Sequence, residues 1–455
     1  MAGPSRERDT GAPRVTKTVL CHGCWDGLHI GHIRHLEAAR ALGDRLVVSV
    51  TSDRFVNKGP GRPRFPLEQR MEALKALRCV DEVIASDYQT GAESIVAKAP
   101  AIYVKGEDYG SGIADEEATA LAMFNGRLEI VGEKLGSSSA TFRHEDPFLE
   151  HCRATYTPKD FSDAIESLAT LKVGVIGDGI FDRYTYVEPQ GLTAKSQTLS
   201  LKIDEGPLSQ EGGALAVWRH AEALGVSLGY RHTPVVAIKH RYLGRDGRRY
   251  FTAESYTPVE YAAPVPSSAT DVLLVADFGH GVMTPELKRA VLDAKYLALN
   301  VQTNSANFGF NLITQYERCD MFSLDRTELQ LAIRQRVDVD GGHLSRVGYP
   351  LLAKRGFLTR GGDDTIAWER RTPVERKDQD VRHTCPALEP NPVDPVGAGD
   401  AFFVAAALCS AKGVPLDLTL LIAQIAGAQL TKVIGNAEPL NKAKLLAAGK
   451  AILAR

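Results

Sequence analysis

Two histidines three positions apart, His29 and His32, stand in the run Trp25-Asp26-Gly27-Leu28-His29-Ile30-Gly31-His32, where an apolar strand gives way to a helix. The first turn of a helix carries backbone N–H groups without intrahelical partners and the positive end of the helix dipole, so it attracts anions. Imidazoles at i and i+3 share one helix face. From there they can donate to a polyphosphate as charge builds on the attacked phosphorus and on departing pyrophosphate. The chemistry is nucleotidyl transfer by positioning and electrostatics. A second run, Asp394-Pro395-Val396-Gly397-Ala398-Gly399-Asp400, opens the apolar helical stretch 401–409. Glycines at a helix start let backbone N–H groups approach an anion, and an aspartate at their end can stand beside a phosphoryl acceptor.

The elements around these residues are α/β in character. A strand over 17–22, a helix over 31–42 and a strand over 45–50 make a βαβ unit. Its histidines lie past the carboxyl end of the first strand, where open α/β sheets bind ligands. A helix over 67–77 carries Arg70. A strand over 127–131 precedes Ser137-Ser138-Ser139-Ala140-Thr141, whose hydroxyls and N–H groups suit a helix cap turned toward phosphate. Further on, a strand over 171–177 ends in Asp178-Gly179. Segments 198–203 and 235–243 read as strands outside the main alternation, the latter turning at Asp246-Gly247 into 248–253, a hairpin signal. Strands over 272–276 and 297–301 alternate with helices as in a parallel sheet.

Composition bounds the function. A chain of 455 residues holds two or three domains, and a net charge of -2 with 44% apolar residues gives no sign of nucleic-acid binding. Seven scattered cysteines fit a reducing compartment. Cys21 and Cys24 form C-x-x-C, but with no second pair nearby they read as packing residues. No apolar run reaches the roughly 18 residues of a membrane span, and the first residues lack a signal-peptide core, so a cytoplasmic enzyme is expected.

Gly23-Cys24-Trp25-Asp26 through His32 resembles the signature of the cytidylyltransferase-like superfamily. Residues 16–143 are similar to the nucleotidyltransferase half of the bifunctional heptose-phosphate kinase/adenylyltransferases, through 42–48, Lys58-Gly59, Arg62-Pro63, 66–70, 104–109 and 136–141. His-Ile-Gly-His also occurs in class I aminoacyl-tRNA synthetases, whose second lysine-rich loop has no counterpart here. The resemblance implies nucleotide contacts at Gly23, Trp25, Asp26, Lys58, Arg70, Lys105, Ser137, Ser138, Ser139 and Thr141.

Residues 171–450 resemble the ribokinase-like sugar kinases, particularly the kinase half of the same bifunctional family. The match rests on Gly177-Asp178-Gly179 with Asp182-Arg183-Tyr184, Gly212-Gly213-Ala214, 276–281, Thr359-Arg360-Gly361-Gly362 and Gly397-Ala398-Gly399-Asp400. It implies sugar contacts at Asp178, Asp182, Gly212 and Gly213, nucleotide contacts at Thr359 and Gly361, an anion hole at Gly397, Ala398 and Gly399, and Asp400 as base. Asp325-Arg326-Thr327-Glu328 stands where the family has Asn-x-x-Glu, and can still place two oxygen ligands, Asp325 and Glu328, near hydrated Mg²⁺.

The kinase half also departs from its family. Leu215 follows Gly212-Gly213-Ala214 where an asparagine usually contacts sugar. Only about ten residues separate 225 from 235 where a further strand, helix and strand belong, so a core edge is expected to be missing. Asp364 stands where the nucleotide loop commonly has glycine.

The expected organisation is an N-terminal tail to 15, a Rossmann-like nucleotidyltransferase domain over 16–145, a linker over 146–165, and a ribokinase-like domain with a β-strand lid over 166–455, the reverse of the familiar order. The expected function is phosphorylation of a heptose phosphate or similar sugar at its anomeric hydroxyl, then nucleotidyl transfer from ATP, or from CTP, to the sugar 1-phosphate. A separate phosphatase acts between these steps in the resembled family. The partners implied are an NTP and a sugar phosphate, with a homodimer through the C-terminal domain. Two alternatives stay open: a nucleotidyltransferase whose kinase-like domain only binds sugar or dimerises, and a non-catalytic sugar-phosphate sensor.

Overall fold

The computed structural model describes residues 16–57, 62–106, 113–131, 146–245, 247–258, 270–370, 380–389 and 392–454. Lys58, Ser137, Ser138, Ser139, Thr141 and Asp246 lie outside the described residues. The chain divides between Arg143 and His144 into two compact units.

The first unit is built on five parallel strands, β1 (Thr18–Gly23), β2 (Arg45–Thr51), β3 (Glu82–Ser86), β4 (Ile102–Lys105) and β5 (Arg127–Ile130), in the order β3-β2-β1-β4-β5. Its central strands are continuous apolar runs because helices cover both faces. Val19, Cys21, Val48 and Val104 pack with Leu36 and Leu74 on one side, and Leu20, Val47 and Tyr103 with Ile95 and Leu121 on the other. Cys21 is wholly buried, and burial pushes its thiol far up, as befits a packing residue. The strand order reverses between β1 and β4, so the crevice past their carboxyl ends is the ligand position of a doubly wound sheet. The helix Ile30–Arg40 starts there.

The second unit has an eight-stranded sheet in the order β17-β16-β15-β14-β13-β12-β6-β9. Its parallel part comprises β6 (Lys172–Gly177), β9 (Ser227–His232), β12 (Val272–Asp277), β13 (Leu297–Val301), β14 (Met321–Asp325) and β15 (Arg355–Thr359). The strands β16 (Asp364–Glu369) and β17 (Val381–Pro386) continue it antiparallel. The expected gap at the sheet edge is narrower than the sequence suggests, because β9 pairs there with β6 before the chain turns into the next sheet. That sheet is a separate four-stranded lid, β11 (Arg249–Tyr256), β10 (Val235–Leu243), β7 (Gly179–Leu192) and β8 (Leu199–Gly213), in the order β11-β10-β7-β8.

Two expectations are corrected. The segment 146–165 is no linker: it forms the helices Pro147–Thr155 and Pro158–Ser167, and Phe148, Leu149, Cys152, Phe161 and Ile165 enter the core of the second unit. Its prolines, which look like breaks, follow the N-caps Asp146 and Thr157, where a missing N–H costs nothing. The strand expected over 198–203 runs on to Gly213, paired along its length with β7, which Asp182-Arg183-Tyr184 had concealed as a motif.

The chain passes from the core sheet to the lid at Gly177-Asp178-Gly179. Gly177 has φ 148°, and a Cβ there would overlap the Ala276 carbonyl. The packed strand therefore requires glycine at this crossing.

Candidate functional site

In the first unit the turn after β1 is held by backbone geometry and buried polar contacts. Trp25 takes φ 54°, a left-handed conformation rare for a bulky residue, and its indole Nε1–H donates to the Ser49 carbonyl at 3.0 Å. Asp26 is buried and accepts from Arg62 Nε at 2.5 Å, from the Arg64 N–H at 2.9 Å and from the Phe65 N–H at 3.1 Å. A Cβ on Gly23 would press the Trp25 ring at 3.2 Å. These residues shape the crevice.

His29 is the N-cap of the helix Ile30–Arg40, with extended backbone, rather than a first-turn residue. The Gly31 N–H donates to His29 Nδ1 at 3.1 Å, which leaves Nε2 to carry the proton and meet a ligand. The His29 and His32 rings stack with centroids 3.9 Å apart, and the Trp25 ring meets His32 edge-on at 5.4 Å. Both half-buried imidazoles thus present to the same end of the helix.

Two cations expected to contact nucleotide, Arg70 and Lys105, are engaged within the protein. Arg70 is buried, and its guanidinium donates to the carbonyls of Cys24, Phe65 and Thr51 and to Asp53 Oδ1 at 2.6 Å. It ties the motif turn to the end of β2. Lys105 lies in a buried ion pair with Glu117, 3.1 Å away. A further histidine, His22, bonds Ser49 Oγ at 2.9 Å and Thr51 Oγ1 at 3.3 Å; burial, then the Lys105 charge, lowers it to about 4 and keeps it neutral. Its alternation with Cys21 in a buried strand was the only signal for it.

In the second unit, Gly397 (φ 85°) is the N-cap of the helix Ala398–Ala411, and Asp400 lies in its first turn. Asp400 is buried and accepts from Gln302 Nε2 at 3.1 Å. Burial pushes its carboxyl up to about 7, with Asp182 adding to the rise and Gln302 and Lys239 opposing it. A carboxylate so placed is poised to take a proton near neutral pH.

Asp182, on β7, faces the same region. It is buried and receives Arg241 of β10 through Nε at 2.8 Å and Nη2 at 2.7 Å. Asp178 differs. Its carboxylate accepts the N–H groups of Phe278 at 2.8 Å, His280 at 3.3 Å and Val282 at 3.1 Å, so it organises the loop after β12. The sugar contact implied for Asp178 by resemblance would be made by a carboxylate that already holds these three N–H groups. Gly213 (φ 59°) lies against Asp178, where a Cβ would come 2.5 Å from its carbonyl oxygen, whereas a Cβ on Gly212 would come 2.5 Å from Asp182 Oδ2.

A cleft of about 430 Å³ runs beside the helix Ala398–Ala411, lined by Thr359, Gly361, Asp325, Ala398 and Gly399 among others. Asp364, at the unusual position, pairs with Arg360 at 2.5 Å. Asp325 and Glu328 form a reciprocal capping box: the Glu328 N–H donates to Asp325 Oδ1 at 2.7 Å and the Asp325 N–H to Glu328 Oε2 at 2.7 Å. Burial raises both carboxyls, and the Asp325 charge raises Glu328 further. Two close carboxylates, Glu328 buried and Asp325 exposed, form an oxygen-only donor set of the kind that suits a hard divalent cation completed by phosphate and water. Sequence reasoning missed Gln302 and Lys239, which act on the Asp400 carboxyl. Gln302 was within reach, since it follows the carboxyl end of β13, where α/β sheets place functional groups.

Residues 20–156 match the cytidylyltransferase-like family model. Within this region the chain is 45% identical over 119 residues to the bifunctional protein HldE of Methylococcus capsulatus, covering 26% of this chain and 24% of that protein. The chain spans about a quarter of the length of the curated relatives it matches. Among solved structures, phosphofructokinase-2 from Escherichia coli aligns at 13% identity over 60% of this chain and 96% of its own, with a TM-score of 0.43. Ribokinase of Arabidopsis thaliana, complexed with ribose and ATP, aligns at 17% identity over 61% and 99%, with a TM-score of 0.44. The first unit of this chain, with His29 and His32 at the reversal of its parallel sheet, carries a cytidylyltransferase-like domain.

Proposed function

We propose that the chain is a bifunctional enzyme of sugar-nucleotide synthesis, acting on a heptose 7-phosphate or a closely similar sugar. In the second unit Asp400 takes the proton of the anomeric hydroxyl, whose oxygen attacks the γ-phosphorus of ATP. The bond to the β–γ bridging oxygen breaks and ADP leaves. Gly397, Ala398 and Gly399 offer N–H groups to the transferring phosphoryl, and Thr359 and Gly361 line the nucleotide cleft. Asp325 and Glu328 would hold Mg²⁺, which neutralises phosphate charge when bound. Asp182 and Gly212 border the sugar. The observation that carries this reading is the buried Asp400 carboxyl, raised to about 7 beside the glycine-rich helix start.

In the first unit an oxygen of the sugar 1-phosphate attacks the α-phosphorus of ATP, the bond to the β-phosphate breaks, and pyrophosphate leaves. His29 and His32 donate to the developing charge. Lys58, Ser137, Ser138, Ser139 and Thr141 complete the phosphate contacts by family resemblance. The place of action is the cytoplasm, in keeping with seven cysteines and with the absence, among the described residues, of a helix long and apolar enough to cross a membrane. The lid sheet leaves Leu192 and Ile203 exposed by 66% and 63%, which supports a homodimer through this edge.

The test is incubation with MgATP or MgCTP and a panel of sugar phosphates, with ADP resolved from pyrophosphate. Sugar-dependent ADP reports the second unit and pyrophosphate the first. Pyrophosphate without ADP for every sugar offered would reduce the second unit to a sugar-binding or dimerising module.

A further inference from the structure

Among the described residues, two cations line the cleft of about 430 Å³ beside the helix Ala398–Ala411, Arg326 and Arg360, and they are held differently. Arg360 is engaged on every guanidinium nitrogen. Its Nε and Nη2 each meet the Asp364 carboxylate at 2.5 Å, and its Nη1 donates to the Val339 carbonyl at 3.4 Å. Asp364, where the resembled family commonly has glycine, thus fixes Arg360 in place. Arg326 has a single partner among the described residues: its Nη2 donates to Asp363 Oδ2 at 2.6 Å, and its Nε makes no hydrogen bond.

The Arg326–Asp363 pair is open to solvent, the arginine side chain being 43% exposed and the aspartate 66%. Such a pair gains little, because water screens it and two side chains must be held in one geometry, so it exchanges readily for a better anion. A phosphate is a better anion, since it offers oxygens to two nitrogens of the guanidinium fork where Asp363 meets one. The backbone beneath need not move. Arg326 opens the helix Arg326–Ile333, whose first turn is locked by the Asp325–Glu328 capping box, so a side-chain rotation suffices. Asp363 stands on the facing wall, in the turn between β15 and β16 whose Gly361 and Gly362 line the same cleft.

We infer that Arg326 is a polyphosphate-binding residue of the second unit and that Asp363 is its stand-in anion: a nucleotide entering the cleft displaces Asp363 and takes the Arg326 guanidinium through its phosphates. This rests on the nucleotide reading of that cleft and deepens it. Asp363 competes with the ligand, because only molecules whose Arg326 is released can offer the fork, and the apparent affinity falls by that fraction. The pair therefore sets affinity for a charged nucleotide and leaves the affinity for its nucleoside unchanged.

The test is amide hydrogen exchange of the full chain titrated with MgATP, MgADP and adenosine. It is read at residues 359–364 and 398–402, so that nucleotide bound by the first unit does not enter, and sugar-dependent ADP formation is measured alongside. Arg326→Gln should weaken ATP binding about tenfold and leave adenosine unchanged. Asp363→Asn should tighten ATP binding about threefold, and should have no effect once Arg326→Gln is present. A purely structural pair would move both single variants in one direction and carry adenosine with ATP. A general field effect would let Asp363→Asn tighten ATP binding even without Arg326. Either pattern, or variants that bind as the wild type does, overturns the inference, while wild-type ADP formation still upholds the kinase reading. Protection by ATP without ADP formation overturns the kinase reading instead, and the affinities of the variants then decide Arg326 by themselves. Absence of protection by any nucleotide overturns the inference and, where no ADP forms, the kinase reading with it.

Discussion

Lys105, the last residue of β4, holds its Nζ 3.1 Å from Glu117 Oε1, with both side chains buried. The same carboxylate accepts the Tyr103 hydroxyl at 2.6 Å and the Gly91 N–H at 2.7 Å. Although burial pushes Glu117 upward, the Tyr103 hydroxyl and the Lys105 charge prevail and hold it below the usual carboxylate range. Removing one partner strands the other in a dry site. Lys105→Met should therefore cost the first unit roughly 3 kcal/mol in denaturant unfolding, and Lys105→Met with Glu117→Gln should cost less than the separate effects combined. Because the native carboxyl is depressed, its stabilising contribution is present above the ordinary carboxylate pKa and is lost as pH falls through the lower native value.

The stacked His29 and His32 rings are expected to act on the transition state. Alanine at either should lower kcat for pyrophosphate release about a hundredfold or more, with a smaller change in nucleotide affinity, by steady-state kinetics and equilibrium binding. Near-normal turnover in both variants would remove them from the chemistry.

Asp400→Asn should abolish sugar-dependent ADP formation, since an amide cannot accept the hydroxyl proton, and leave pyrophosphate release from a supplied sugar 1-phosphate intact. In the wild type ADP formation should rise with pH through about 7 and then level off. Stability moves the other way. A carboxyl whose native pKa is raised binds its proton more tightly when folded, so this contribution declines from about pH 4 to about 7. Asp400→Asn should melt higher than the wild type at pH 8, with the difference shrinking toward pH 5.

The exposed apolar residues Leu192 and Ile203 should be covered in solution. Light scattering at micromolar concentration should give a dimer mass, and Leu192→Glu with Ile203→Glu should give a monomer that keeps pyrophosphate release. A monomeric wild type would exclude a lid-mediated dimer.

How much was legible in the sequence depends on the range of each interaction. The His29–His32 turn and the Gly397–Asp400 helix start are local, so their place at a helix start could be read from spacing. Asp178 could not be read in that way, because its partners Phe278, His280 and Val282 come far later in the chain and only the sheet brings them near. The partners of Arg70 were hidden for the same reason: its place in the family motif implies a nucleotide contact, and only the fold shows that its guanidinium meets three carbonyls and Asp53. The helices over 147–167 were hidden because proline after a cap looks like proline in a linker until the buried face of Phe148, Phe161 and Ile165 is seen.

Asp394 serves three masters. Its carboxylate accepts the Val396 N–H of the glycine-rich loop and the Gly435 N–H beside Asn436, each at 3.1 Å, and lies 3.6 Å from Arg249 of lid strand β11. Lifting the lid withdraws a positive charge from the group that sets both neighbouring loops. On the proposed kinase reading, cover of the sugar and alignment of the glycine-rich loop are thus joined through one carboxylate.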